Sequence, residues 1–437
     1  MKMRRLAAVT AMVSLLSITA CAGKEGAVTE KPAENTASTE PVTLKLAVVA
    51  TMLSDESFQK YFVQEVQKKY PHITLERSDP SQAIEDLIAS GDIPDIIYSS
   101  LPGIPKLQLL DVLEDLSPYI KKYNTDLSRF DPVLMEALQQ FGGDNQVIAL
   151  PYKMNIPALF YNKDIFDRFG VSYPEDGMTW DEAFGLARKL TRQDGGTQYL
   201  GIFTGGADRM AMGLNLPYVN MATNKAKLQT DEWQQVLSMF TSEMSLSGYV
   251  ADGKLPDLWA MFNREKSVAM AAFWGPDAIS NFGEMERNGE GFSWDMVTVP
   301  TFKKGEGYAW QADAHTLIIT STSKHKEQAY QVLSVMTSDE VQSVLNKNGV
   351  LTSLQKTPEL IKDYGSEIPS FHGKNVNALF ALKPAVKTFT PFDDKGRGLI
   401  NAAANDVLIK GIDVNTALKS AEEQLDQYIR QHQMANP

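Results

Sequence analysis

Cysteine is almost missing from these 437 residues: Cys21 stands alone. A single thiol excludes a disulfide framework within the chain. Histidine is scarce too, and His72, His315, His325, His372 and His432 fall at no metal-ligand spacing. The sequence has no G-x-S-x-G elbow, no H-E-x-x-H helix, no Walker A loop and no G-x-G-x-x-G turn, so the chemistries those motifs carry have no foothold. No cofactor and no metal is expected. Carboxylates are plentiful, and a glycosidase-type pair stays open at this level, although neighbours such as Asp393 and Asp394 read as solvated loop charges. Basic residues are outnumbered, with 42 Lys and Arg against 54 Asp and Glu and a formal net charge of −12. An acidic body argues against nucleic acid or an anionic lipid surface as partner.

Long apolar runs are also missing. The one N-terminal run, Leu6 to about Ala20, is too short for a bilayer, which needs about 20 apolar residues. It follows Lys2, Arg4 and Arg5, and the order of charge, apolar core and small residues describes a secretory signal over residues 1–20. Ile18-Thr19-Ala20-Cys21 resembles the bacterial lipobox, in which a lipid is attached to the cysteine before cleavage. Cys21 is therefore expected to carry a lipid, which also leaves no thiol nucleophile. The plainer alternative is an ordinary signal with an incidental cysteine, or a buried free cysteine. Residues 21–41 are expected to be the lipidated cysteine and a flexible tether. "AGKEGAVTEKPAENTASTEP" has no Leu, Ile or aromatic residue and cannot bury enough apolar surface to offset chain entropy. Losing Lys2, Arg4 and Arg5 with the signal makes the body still more acidic, so membrane attachment must come from the lipid.

The remaining chain exceeds the usual size of one domain, and at 43% hydrophobic residues it can build sizeable cores. "LKLAVVA" (44–50) reads as a strand. Phe58, Phe62, Val66 and Tyr70 recur every four residues on a helix that Pro71 stops. "HITLERS", a short helix at Ile84 to Ala89 and the buried strand "DIIYS" follow, with Gly91 suited to a helix end. Alternating strands and helices predict an α/β fold with parallel pairing. Further strands are "ALFYN" (158–162), "SVAMAAFW" (267–274), "WDMVTVPTF" (294–302) and "HTLIITST" (315–322). Thr179-Trp180-Asp181-Glu182 is a capping box. Helix faces are expected from Trp233, Val236, Leu237 and Phe240, and from Ala329, Val332, Leu333 and Met336.

Trp180, Trp233 and Trp294 sit in core patterns. Trp274 and Trp310 differ. Trp274 ends an apolar strand and precedes Gly275-Pro276-Asp277, a break into a helix with proline at its start. Trp310 lies in "GEGYAWQADAH", with Asp313 three residues on. Strand ends of α/β lobes are where ligands bind. An aromatic face there, with nearby acids or amides, suits a hydroxyl-rich ligand. The bland reading is that both are aromatic plugs over the core.

At these residues the chain resembles the extracellular solute-binding proteins of ABC-type sugar importers, over essentially the whole body. "GDIPDIIYS" resembles the family's Gly-Asp-x-Pro-Asp strand. The most specific piece is "ALFYNKDIFDRFGVSYPEDGMTWDEA". "REKSVAMAAFWGPDA" resembles the segment leading to a binding aromatic, and "TVPTF" with "SKHKEQAYQVLSVMTSDEVQ" the crossover back to the first lobe. The resemblance implies two α/β lobes, hinged around a ligand cleft: residues 42–151 with 301–357, and 152–300 with 358–437. Carried over by position, Tyr98 and Ser99, Lys153 and Asn155, Trp274 and Asp277, and Phe392 would contact the ligand. Pro102 and Gly103 stand where maltodextrin binders carry a charged pair, a departure that speaks against a maltodextrin ligand. The resemblance implies a non-catalytic monomer on the outer face of the bacterial cytoplasmic membrane. It would pass a carbohydrate, an oligosaccharide, to a membrane permease. The rival classes are a surface lipoprotein acting as a polysaccharide hydrolase or lyase, and a binder of a non-sugar solute.

Overall fold

The computed structural model describes residues 39–435. The signal, Cys21 and the tether as far as residue 38 lie outside the described residues. Twelve strands follow in order: β1 (Val42–Val49), β2 (Ile73–Arg77), β3 (Ile96–Ser100), β4 (Leu150–Asn155), β5 (Pro157–Asn162), β6 (Arg192–Asp194), β7 (Thr197–Phe203), β8 (Val219–Asn220), β9 (Lys225–Ala226), β10 (Val268–Trp274), β11 (Trp294–Thr298) and β12 (Asp313–Ile319). They form two five-stranded sheets, ordered β2-β1-β3-β12-β4 and β11-β5-β10-β7-β6, and a small β8-β9 ribbon. β1 pairs in parallel with β2 and β3, while β12 runs antiparallel to β3 and β4. In the second sheet, β10 is parallel to β7 and antiparallel to β5.

The apolar runs became the central strands. β3 and β5 are buried at every position, as continuous hydrophobic runs covered on both faces must be. The helix at 58–69 has a local twist with a cause in its sequence. A strict four-residue repeat overruns a 3.6-residue turn. The Phe58–Val63 stretch widens to i→i+5 bonding, with Gln64 N–H donating to Gln59 O. Phe58, Phe62 and Val66 thereby share one buried face.

The family-like motifs turn out to be structural punctuation. Asn162 ends β5 and its side chain accepts from Asp164 N at 3.0 Å, capping the helix Lys163–Phe169, which Gly170 closes at φ 63°. Asp164 then accepts from Ser293 N at 3.1 Å. In the capping box, Thr179 N donates to Glu182 Oε2 at 2.8 Å and Glu182 N to Thr179 Oγ1 at 3.3 Å.

The chain changes sheets at Ile156, between β4 and β5. That point lies beyond the expected 151/152 division, because Pro151 to Asn155 pair with β12. Thr301 is bonded to Met178 and Trp180, next to the second sheet, so this crossing also comes later than residue 300. Residues 365 and 367 bond to Asn346 and Lys347, and Leu360 O accepts from Asn346 Nδ2, so 358–367 packs with the first sheet's helices rather than the second's. The returning chain lies beside the middle crossing. Ala312 N donates to Ala385 O at 2.6 Å, and Ala385 N to Trp310 O at 2.8 Å.

One face of the first sheet carries a core of its own, with Phe62, Tyr98, Tyr152, Leu317 and Tyr330. The opposite face, with Ile97, Leu101, Met154 and Ile318, is continuous through Ile156 with the core of the second sheet.

Candidate functional site

A cleft of about 470 Å³ opens where the ends of strands from both sheets converge. The first sheet supplies Thr51 and Met52 after β1, Ser100 and Pro102 after β3, Asn155 at the end of β4, and Asp313 and His315 at the start of β12. The second side supplies Trp274 at the end of β10, Asp277 on the helix it starts, and Asp208, Arg209 and Met212 from the helix Ala207–Met212. Phe389, Asp394 and Arg397 complete the wall.

Pairing register brings Asn155 opposite Asp313. Asn155 Nδ2 donates to Asp313 Oδ2 at 3.3 Å and to Asp277 Oδ2 at 3.4 Å, so one amide bridges two carboxylates. Lys153 Nζ stands 3.6 Å from Asp277 Oδ1. Burial, reinforced by the charge on Asp277 and opposed by the Asn155 hydrogen bond, pushes Asp313 up to about 7. Among the described residues, Asp313 Oδ1 and Asn155 Oδ1 have no hydrogen-bond partner. Both are acceptors available to ligand hydroxyls.

His315 sits behind them. Tyr98 Oη lies 2.6 Å from its Nδ1 and Thr51 Oγ1 3.0 Å from its Nε2. Burial, with Lys153 nearby, holds its pKa well below the ordinary value, so the ring is neutral. A neutral imidazole has one donor and one acceptor nitrogen, and two hydroxyls satisfy both.

Four of the sequence-derived residues line the cleft: Asn155, Trp274, Asp277 and Asp313. Lys153 reaches it through Asp277. Trp310 is buried and stands edge-on to Trp274, on a backbone at φ 104°, a conformation that bulky residues rarely adopt. Tyr98 is core on the first sheet and touches the site only through His315. Ser99 is fully buried, its hydroxyl donating to Ser100 O at 3.1 Å. Phe392 packs edge-on against Tyr428 and His432, and it is Phe389, three residues earlier, that lines the cleft. Gly103 has a local reason to be glycine: a Cβ there would lie 2.5 Å from Ser99 Oγ and 2.8 Å from Ala50 Cβ.

Sequence reading missed Thr51, Met52, Asp208, Arg209 and His315. A signal existed for part of this set. "TGGADR" is a glycine turn into a helix, with Gly205 and Gly206 at φ 84° and 112°, and Thr51 and Met52 directly follow the end of β1.

Among the described residues no group of three or more His, Cys, Asp or Glu is placed to hold a metal ion, and no helix is long and apolar enough to cross a membrane. What the cleft can do is bind: it offers an aromatic side chain, unpartnered oxygen acceptors and a guanidinium.

Residues 50–343 match the model of a family described as bacterial extracellular solute-binding protein. A stretch of 47 residues is 38% identical to the sn-glycerol-3-phosphate-binding periplasmic protein of Agrobacterium fabrum, a match spanning only 11% of that protein's length and 11% of this chain. The ABC substrate-binding protein of Listeria monocytogenes in complex with cycloalternan is similar at a TM-score of 0.72 and 20% identity, covering 89% of this chain and 99% of that one. The sugar-binding protein MalE from Xanthomonas citri gives 0.68 at 17% identity over 90% and 99%. A Mycobacterium tuberculosis protein, UgpB in complex with glycerophosphocholine, gives 0.69 at 16% over 90% and 99%. At these identities the likeness bears on the fold, a two-lobed α/β architecture of the periplasmic-binding-protein kind.

Proposed function

This chain belongs to the bacterial extracellular solute-binding proteins, and from that premise we propose that it captures a carbohydrate, an oligosaccharide, and hands it to the permease of an ABC importer. The observation that carries the reading is the pairing of Trp274 with Asn155 and Asp313 in one cleft. A sugar ring presents an apolar face and a hydroxyl rim, and these residues offer an aromatic face and unpartnered acceptors. The oligosaccharide held by the Listeria protein supports the class of ligand. Trp274, Asp277, Asn155 and Asp313 are the proposed contacts, joined by Thr51. Trp310, Lys153, Tyr98 and Ser99 support them from behind.

The two sheets are the centres of two lobes that close on the ligand about Ile156 and the paired crossings at 309–312 and 383–385. A ligand touching both lobes favours the closed state by its extra contacts there. A permease can then tell loaded from empty. The protein works as a non-catalytic monomer, held by a lipid on Cys21 at the outer face of the cytoplasmic membrane.

A thermal-shift screen of mono- and oligosaccharides tests the reading. A ligand at about 100 times its Kd stabilises by about 2.7 kcal/mol. The hit is then added at saturation in small-angle scattering, where a smaller radius of gyration is expected. Glycan chromatography after long incubation should return the sugar intact. Product in excess of protein would make this an enzyme, and binding without compaction would make the cleft a rigid pocket.

A further inference from the structure

Arg209 lines the cleft without an ion pair, although Asp208 and, after it, Asp277 and Asp313 attract it from a distance. It stands on the helix Ala207–Met212, with its guanidinium 4.8 Å from the ring centroid of Phe273 and 5.8 Å from that of Trp310. The guanidinium packs against both rings, and the residue lines the cleft. Nη1 is buried, with no hydrogen-bond partner among the described residues. No carboxylate among them pairs with it, whereas the other charges of the cleft are accounted for. Lys153 faces Asp277 at 3.6 Å, and Arg397 bonds Asp394 at 2.8 Å. Asp208 accepts from Asn401 Nδ2 at 2.9 Å, and burial raises its pKa. Asp313 is raised to about 7. Arg209 is therefore a buried cation of the cleft that no ion pair satisfies, in a chain that is acidic as a whole. A desolvated cation without a partner is costly, and a planar guanidinium is the side chain best matched to an oxyanion.

We propose that Arg209 is an oxyanion subsite, so that the carbohydrate this protein takes carries an acidic group, a uronate carboxylate or a phosphate. This rests on the carbohydrate reading above and narrows it. A sugar would lie on Trp274, with its hydroxyls on Asn155 and Asp313 and its acidic group on the Arg209 fork. Protonation of Asp313, raised to about 7, removes a nearby negative charge, so affinity for an acidic sugar should rise between pH 8 and pH 6. Lys153 with Asp277, and Arg397 with Asp394, are the other charged groups that face the site.

The test uses the full body of the protein and native mass spectrometry of what it retains. The probes are neutral and uronate-bearing oligosaccharides from polysaccharide hydrolysates, hexose phosphates, and glycerol phosphate, at equal concentrations. Retention of acidic sugars at least tenfold over neutral ones, lost in Arg209→Gln and partly kept in Arg209→Lys, is expected. Uronates and hexose phosphates in separate arms tell carboxylate from phosphate. Equal unfolding temperatures of the empty wild type and Arg209→Gln would show that the loss is not misfolding; if Arg209→Gln does not fold, Arg209→Lys with its pH profile carries the test. Preferential retention of neutral sugars overturns the subsite and leaves the carbohydrate reading standing. Retention of glycerol phosphate alone keeps the subsite and overturns the carbohydrate. Retention of nothing, or an acidic preference unchanged in the variant, sinks the proposal.

Discussion

Trp310 meets Trp274 edge to face, with ring centroids 4.9 Å apart and planes at 88°. One ring is buried and the other lines the cleft, so the buried ring holds the half-buried one in place. Edge-to-face pairs of this kind contribute about 0.5–1.5 kcal/mol beyond their buried area.

That pairing separates three tryptophans by experiment. Trp274→Ala should leave the melting temperature of the empty protein nearly unchanged and weaken sugar binding on the order of tenfold or more. Trp233 is buried on Tyr218 and its indole N–H donates to Pro217 O at 3.2 Å. Trp233→Ala should cost about 3–5 kcal/mol of stability with little effect on affinity. Trp310→Ala should lower both. Calorimetric unfolding and titration decide the matter. If Trp274→Ala destabilises the empty protein as much as Trp233→Ala does and binding survives, Trp274 is a plug.

Asp313 and His315 should give stability a pH dependence of two signs. Burial raises Asp313 from 3.8 to about 7. From about pH 4 to 7 the folded chain keeps a proton that the unfolded chain releases, so stability falls as pH rises through that window. His315, held well below 6.5, stays neutral when folded but takes up a proton when unfolded, so its contribution is lost as pH falls below 6.5. Asp313→Asn should remove the first effect only. The variant's gain over wild type should grow from near zero at pH 4 to a few kcal/mol at pH 8, at about 1.4 kcal/mol per pKa unit. A gain independent of pH in chemical denaturation would show that Asp313 is not protonated in the fold.

Gly275 and Gly283 lie on the same helix, Gly275–Arg287, in opposite circumstances. A Cβ on Gly275 would come within 2.5 Å of Leu379 Cδ2 and 2.8 Å of Ile156 O, whereas one on Gly283 would meet only Arg287 Nη1 at 3.6 Å. Gly275→Ala should cost about 1–3 kcal/mol through overpacking at the sheet changeover. Gly283→Ala should stabilise by about 0.5–1 kcal/mol through helix propensity. Equal melting shifts would mean that the changeover yields easily.

Cys21→Ala tests the anchor. The variant should move from the membrane fraction to the soluble or secreted fraction, with the melting temperature of the body unchanged. Equal membrane retention would rule out the lipid.

Much of the strand inventory was legible because β1, β3, β5 and β10 are apolar runs with turn signals at their ends. β4 was not. "LPYKMN" carries Pro151 and Lys153 inside it, and it is a strand because it pairs with β12 from over 150 residues away, with a register shift between His315 and Thr316. The site divides in the same way. Trp274, Asn155 and Asp313 sit at strand ends and Asp277 in the first turn of the helix after one, where pattern and position agree. Arg209 was invisible because its meaning lies in what surrounds it, Phe273 and Trp310, both remote in sequence. Phe392 was misplaced by a turn. The helix Asp393–Lys410 begins directly after it, turning Phe392 toward the last helix, where it meets Tyr428.

In the paired crossings Ala312 N donates to Ala385 O and Ala385 N to Trp310 O, and under the proposed closure they would act mechanically as a torsion bar. Two strands bonded side by side resist bending in their own plane and yield to twist, so the proposed opening would have a single soft direction. In that proposal the stiffness of the bar, rather than any contact with the ligand, sets how often the empty protein visits its closed form. Moving a two-state equilibrium from 1:99 to 99:1 takes about 5.5 kcal/mol. A substitution in the bar that biases closure by a small part of this would change apparent affinity for every ligand by one common factor. Under the proposed closure, tuning sensitivity and tuning selectivity are therefore separate engineering problems, addressed at different residues.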